Sequence, residues 1–357
     1  MVILLPRKSM PTAFSVRRLV FCIVLVITLT GCESMQYYGH IINGHAKILN
    51  SRQSIKQLIA DPHTATELKG KLERILEIRE FAENELFLPV NNHYRTYIEL
   101  NRPYVAWNVY AAPEFSLTAK TWSYPVIGRA AYRGYYVRSH AISYAEKLKK
   151  NGYDVYVGGA TAYSTLGWFE DSVLSTFIQR DEYQVAALIF HELAHQVLYV
   201  RDDTTFNESF ASTVEQAGLQ RWMIYSNNPK GLQKYLAHRV RHRHFVDLVK
   251  RYRFELDSLY RQDIPPGKKR LQKASVFRRL RTEYEHLKLN WDANSAYEAW
   301  FNTSLNNAKL LSVAAYYDLV PEFLRLLESN NNDLRQFYTA CRQLAKLPRA
   351  ERDGRLK

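Results

Sequence analysis

The sequence predicts an α+β protein that is mainly helical, with a small sheet near its middle. Three observations carry this. Apolar residues recur at helical spacing between Ile42 and Phe87 and again in the segment from Glu182 to Tyr199. The stretch from Tyr104 to Val137 is instead rich in Tyr, Trp, Val and Thr and is punctuated by Pro and Gly, the pattern of strands and turns. Finally, 357 residues of which 46% are hydrophobic suffice for one large core or two modest ones, and no low-complexity segment interrupts them.

Taken in order, residues 32–101 read as a helical arm, broken at Asp61-Pro62 and continuing in an amphipathic helix from Leu68 to Leu86. Residues 102–225 hold the sheet and two central helices. Strands are expected at Tyr104–Tyr110, Leu117–Val126, Ala130–Val137 and Tyr153–Tyr163, with a helix from His140 to Lys150 closed by Asn151-Gly152. The two central helices span residues 182–199 and 206–225. In the helical C-terminal part, 226–357, two basic helices between Lys230 and Lys288 meet at Ile264-Pro265-Pro266-Gly267, and further helices run near Ala296–Tyr317 and Val320–Ala345. Residues 32–357 form a single domain on this reading.

Residues 1–31 look like an export signal. Arg7, Lys8, Arg17 and Arg18 precede the apolar run Leu19–Leu29, which is short for a membrane span. The run ends in Leu29-Thr30-Gly31-Cys32, which resembles a bacterial lipobox, so Cys32 is expected to carry lipid and become the new N-terminus. An uncleaved membrane anchor is the alternative, and both export the chain. With three cysteines in all and Cys32 acylated, Cys341 has no partner in the mature chain and no disulfide framework forms. Loss of the four signal cations lowers the net charge from +14 to +10, so the mature chain stays basic and suits an anionic lipid surface, and its membrane attachment is expected through the N-terminal lipid. Glu33 is not the aspartate that often retains lipoproteins on the inner membrane. The expected location is therefore the cell envelope, periplasm-facing, with the outer membrane favoured for a Gram-negative source. The basic region 230–288 is either a solvated helix face or a contact for anionic lipid or cell-wall polymer. No nucleic-acid partner is expected.

His191-Glu192-Leu193-Ala194-His195 carries the chemistry. Four residues of α-helix turn about 400°, so His191 and His195 lie one above the other and both reach a single ion, while Glu192, about 100° round, addresses a water beside it. Three ionisable groups on an otherwise apolar helix cost several kcal/mol to bury unless something satisfies them, and one Zn²⁺ does so. Glu208, in Phe206-Asn207-Glu208-Ser209-Phe210-Ala211, is the third ligand candidate, thirteen positions after His195. It has a second reading, because Thr205-Phe206-Asn207-Glu208 is also a capping-box pattern, just as the two histidines have one as a buried hydrogen-bonded pair. The metzincin pattern fails at Leu198 and Arg201. Glu215 is expected beside the site or on the surface rather than on the ion. Glu192 is the expected general base, and Tyr163, Tyr316 and Tyr317 are candidate donors to an oxyanion.

The Asn207-Glu208 dipeptide after the histidine motif resembles the gluzincin arrangement. More broadly, Thr121-Trp122 through Pro125, Tyr132-Arg133-Gly134-Tyr135, Ala162 through Phe169, Ile189 through Gln196, Phe206 through Ala211 and Asn306-Asn307-Ala308 resemble a family of bacterial predicted aminopeptidases, exported lipoproteins of this length. The resemblance spans nearly all of the mature chain. It implies a zincin-like core with the sheet beside the HExxH helix, and a zinc-dependent hydrolase with His191, His195 and Glu208 as ligands and Glu192 as base. It also implies cysteines where this chain has Ser123 and Arg129, departures that leave the zinc ligands untouched and bear only on local stability or a family disulfide. Aminopeptidase action needs an acid near the metal for the substrate ammonium, and Glu170 and Asp171 are the candidates. Endopeptidase or cell-wall amidase action on the same site, or a non-catalytic lipid-anchored binding module, are the alternatives.

Overall fold

The structure, a computed structural model, describes residues 32–124, 128–162, 170–291, 297–314 and 319–356. The expected signal peptide and the candidates Tyr163, Tyr316 and Tyr317 lie outside the described residues. The chain divides into two units, residues up to Asn50 and residues from Ser51 onward. In the first, Cys32–Asn50 is one helix, α1, with Lys47 in its last turn, where a cation is favoured by the negative end of the helix dipole.

The second unit opens with β1 (Gln53–Ser54), α2 (Ile55–Ala60) and α3 (Thr66–Asn84), the break at Asp61-Pro62 falling where the sequence places it. Helix α3 buries Leu72, Ile75, Ile78, Phe81 and Ala82 along one stripe. A small mixed sheet follows, in which β2 (Thr96–Ile98) pairs antiparallel with β1 and parallel with β8 (Val173–Leu174). The main sheet is antiparallel, in the order β6 (Arg133–Tyr135), β3 (Ala106–Pro113), β7 (Tyr153–Ala160). Strand β3 buries Trp107, Val109 and Ala111 in alternation, as a strand with one face on a core does. Helix α4 (Arg138–Lys150) presents Ala141, Ala145 and Leu148 at one-turn spacing and ends at Asn151-Gly152, where Gly152 takes φ 79° before β7 begins. Strands β4 (Trp122–Tyr124) and β5 (Gly128–Ala130) form a separate ribbon in which Ser123 and Arg129 face each other directly. The two positions where the resemblance implies cysteines are thus cross-strand neighbours.

Short helix α5 (Ser175–Ile178) leads into α6 (Glu182–Val197) and α7 (Thr204–Tyr225), the closely packed central pair. Gly218 sits where a Cβ would stand 3.1 Å from the Phe190 ring and 2.6 Å from Leu86, so its lack of a side chain lets α7 approach this closely. Phe81 of α3 packs edge-on against Trp222 at 5.1 Å and 6.0 Å from Phe190, tying α3 to both helices.

The basic segment forms the expected pair of helices, α8 (Pro229–Tyr260) and α9 (Pro266–Lys288), each with Pro in its first turn. Between them Phe245, Leu256, Leu280 and Tyr284 form a core that also takes Phe301 of α10 (Glu298–Phe301). The last stretch holds more breaks than expected. Helix α11 (Asn307–Ala314) is separate from α10 because the Asn306 Oδ1 atom accepts from Lys309 N at 2.9 Å, starting a new helix. Asn331 and Asn332, at φ 56° and 58°, end α12 (Val320–Ser329), and Asp333 caps α13 (Leu334–Ala345). A final helix, α14 (Arg349–Leu356), has no counterpart in the sequence reading. The observed class is thus α+β, mainly helical with small sheets.

Candidate active site

The site is built on α6 and α7. The apolar face of α6, with Val185, Ala186, Ile189, Phe190, Leu193 and Ala194 buried, fixes the helix and points His191 and His195 at α7. Their rings stand 5.1 Å apart and nearly perpendicular, at 83°. Glu208 meets both: its Oε2 lies 3.2 Å from Nε2 of His191 and 3.8 Å from Nε2 of His195.

Two local devices hold Glu208 there. Asn207 clamps the preceding loop, its Oδ1 accepting from Val200 N and its Nδ2 donating to Val200 O, both at 2.7 Å. Asp203 caps α7 by accepting from Phe206 N at 3.1 Å. This corrects the capping-box alternative: the helix starts at Thr204, one residue before the Thr205 that alternative uses as cap, so Glu208 lies in the second turn, clear of the cap, with its carboxylate on the histidines.

The donor set fits a tetrahedral zinc ion. Adjacent ligands of such an ion, each at about 2.1 Å, stand about 3.4 Å apart, and one donor atom from each of His191, His195 and Glu208 lies within 4.8 Å of the other two. The 3.8 Å between His195 Nε2 and Glu208 Oε2 is too long for a hydrogen bond, so Glu208 bonds His191 and leaves the site-facing nitrogen of His195 to another partner. Two imidazoles and a carboxylate turned towards one point, yet not bonded as a closed triad, are what a cation would satisfy.

Charges at the site shift one another. Burial holds His195 down to about 4, which keeps its ring neutral. Burial acts in the same direction on His191 but is outweighed by its hydrogen bonds to Glu208 and Glu215, so His191 is raised well above the usual imidazole range. Glu208 is lowered overall, burial being overcome by His191 and His195. Glu192 is raised to about 7, first by burial and then by Glu208, Asp171 and Glu215, with His191 opposing. A carboxyl near 7 both accepts and donates a proton at neutral pH.

The structure separates the two acidic candidates before α5. Glu170 is exposed and accepts from Asn92 Nδ2 at 2.7 Å. Asp171 is 7% exposed, and its charge acts on both Glu192 and His195. Its backbone is pinned at both ends, with Tyr94 N donating to Asp171 O at 2.7 Å and Asp171 N donating to Nδ1 of buried His93 at 3.0 Å. The loop that supplies these partners carries Phe87, Asn91 and Tyr94 at positive φ, and Arg79 Nε donates to His93 O at 3.0 Å.

Sequence spacing did not point to the tyrosines that ring the site. Tyr110 and Tyr132, 5.7 Å apart on the main sheet and the turn before β6, feel the charge of Glu208, and Tyr132 also that of Glu192. Tyr199 feels Glu208, and Tyr94 feels Glu192 and Asp171. Tyr132 had a signal, since it opens one of the blocks that carry the family resemblance. His93 and Tyr94 had none.

The structure thus brings a His-His-Glu group that could hold a metal ion next to Glu192 and Asp171. The chain belongs to the family described as "Putative aminopeptidase", whose sequence model matches residues 36–356. No curated protein and no solved structure matches it.

Proposed function

We propose that this protein is a zinc aminopeptidase held at the cell envelope by a lipid on Cys32. The observation that carries the reading is the convergence of His191 Nε2, His195 Nε2 and Glu208 Oε2 beside a Glu192 poised near neutrality. Zinc held by those three residues would supply Lewis acidity to the peptide carbonyl and to the attacking water. Glu192 takes a proton from that water as its oxygen adds to the carbonyl carbon, and returns it to the amine as the C–N bond breaks. Tyr132 donates to the oxyanion. Asp171 seats the substrate's free ammonium, which lies two bonds from the scissile carbonyl carbon and so must be held beside the base and the metal. Among the described residues strand β7 lies at one edge of its sheet, a position where an extended peptide adds as a further strand.

The envelope placement rests on the signal and lipobox of residues 1–32. Among the described residues no helix is long and apolar enough to cross a membrane. In the basic helices, Arg251 pairs with Glu283, Arg279 with Glu255 and Arg261 with Asp257, which favours a solvated face over a polymer-binding one. The test is a hydrolysis screen with aminoacyl and internally quenched peptides on the wild type and Glu192→Gln. Release of N-terminal residues by the wild type alone supports the reading. Equal rates from both proteins would remove Glu192 as base, and cleavage of only the quenched peptides would favour the endopeptidase alternative.

A further inference from the structure

Glu208 and Glu215 are seven residues apart on α7. Seven residues turn about 700° and rise about 10.5 Å, so the two carboxylates project from one face two turns apart. Between them on that face stand Ala211 and Ser212, both buried and both small, which leaves room for a ring from α6. The His191 imidazole occupies it. Its Nε2 lies 3.2 Å from Glu208 Oε2 and its Nδ1 lies 3.1 Å from Glu215 Oε2, so the two nitrogens of one ring are each met by one of the paired glutamates.

We infer that Glu215 is a positioning residue for the metal, accepting the Nδ1 proton of His191 and so fixing the tautomer that turns a lone pair on Nε2 towards the ion. The inference rests on the zinc reading above and goes beyond it, because a three-ligand site needs only His191, His195 and Glu208. A ligating histidine is oriented and made more basic by an acceptor on its other nitrogen, and losing that acceptor costs about 10–100-fold in metal affinity. His195 shows the contrast, its Nδ1 having no such acceptor among the described residues. Glu215 therefore favours His191 as the more firmly held ligand of the two.

The test measures zinc affinity by chelator competition on the full chain in detergent, for wild type, Glu215→Gln and Glu215→Leu, with the thermal midpoint of each metal-free protein recorded alongside. Leucine keeps the bulk of the side chain on the helix without an acceptor, and glutamine keeps an acceptor oxygen. The expected result is zinc binding weakened about 10–100-fold in Glu215→Leu and by less in Glu215→Gln. Wild-type zinc affinity in Glu215→Leu would overturn the inference while leaving the zinc site standing, as would a fall in metal-free midpoint with affinity unchanged. Absence of zinc binding in the wild type would overturn both.

Discussion

Asp203 and Arg352 form a buried ion pair, each side chain only 4% exposed, between the residue that caps α7 and the last helix of the chain. The Arg352 guanidinium also lies 4.9 Å from the ring of Phe206, which precedes Glu208 by two residues. The C-terminal helix α14 thereby fastens the start of the helix that bears the third ligand candidate. Removing one partner leaves a buried charge, so Arg352→Met is expected to destabilise the protein by about 3–5 kcal/mol in urea unfolding. Asp203→Asn with Arg352→Met should recover part of that loss, since the charge is gone while the cap oxygen remains. A single variant as stable as wild type would show that α14 does not hold α7.

Asp171 is assigned to the substrate ammonium, and the assignment is checked through the substrate. For Asp171→Asn, kcat/KM on a free aminoacyl substrate should fall about 100-fold, a loss typical of a buried charge partner. On the same peptide with an acetylated N-terminus the variant and the wild type should be equally slow. A loss of equal size on both substrates would make Asp171 a scaffold residue.

Tyr132→Phe removes one hydroxyl from the ring of tyrosines around Glu192 and Glu208. If it meets the oxyanion, kcat falls about 100-fold or more with little change in KM. The same substitution at Tyr110, which stacks on Tyr156 at 5.9 Å and, unlike Tyr132, does not feel the charge of Glu192, should leave kcat within a few fold of wild type. Steady-state kinetics on one substrate decides between them.

Lys309 is fully buried, donating to Trp300 O and Thr303 Oγ1, and burial holds its ammonium at about 8, below its ordinary 10.5. Between those values the unfolded chain binds more protons than the folded one, so stability from this residue rises with pH above about 8. Below about 8 both states are charged and the full penalty remains. The urea midpoint of Lys309→Met relative to wild type should therefore be highest near neutral pH and decline between pH 8 and about pH 10. A difference that does not move with pH would contradict this.

The parts of the site that follow from local spacing were readable before the structure. Two histidines four apart on an apolar stretch, and Asn207-Glu208 at the start of the next helix, nominate the cluster that the structure brings together. So were α4, ended by Asn151-Gly152, and the α8–α9 pair around two prolines. What was hidden depends on residues far apart in the chain. His93 and Asp171 are 78 positions apart and meet only because β2 and β8 pair in parallel. Asp203 outcompetes Thr205 as cap because Arg352, 149 positions away, is there to pair with its charge. Asn331 and Asn332 read as helix-compatible in a periodic stretch, yet take left-handed conformations that end α12.

The most direct test of the zinc reading is metal content, measured by mass spectrometry on wild type, His195→Ala, Glu208→Ala and Glu192→Gln. About one zinc per chain is expected in the wild type and in the inactive Glu192→Gln, and loss of zinc in His195→Ala and Glu208→Ala. Zinc retained in both ligand variants, or no metal in the wild type after loading, would contradict it.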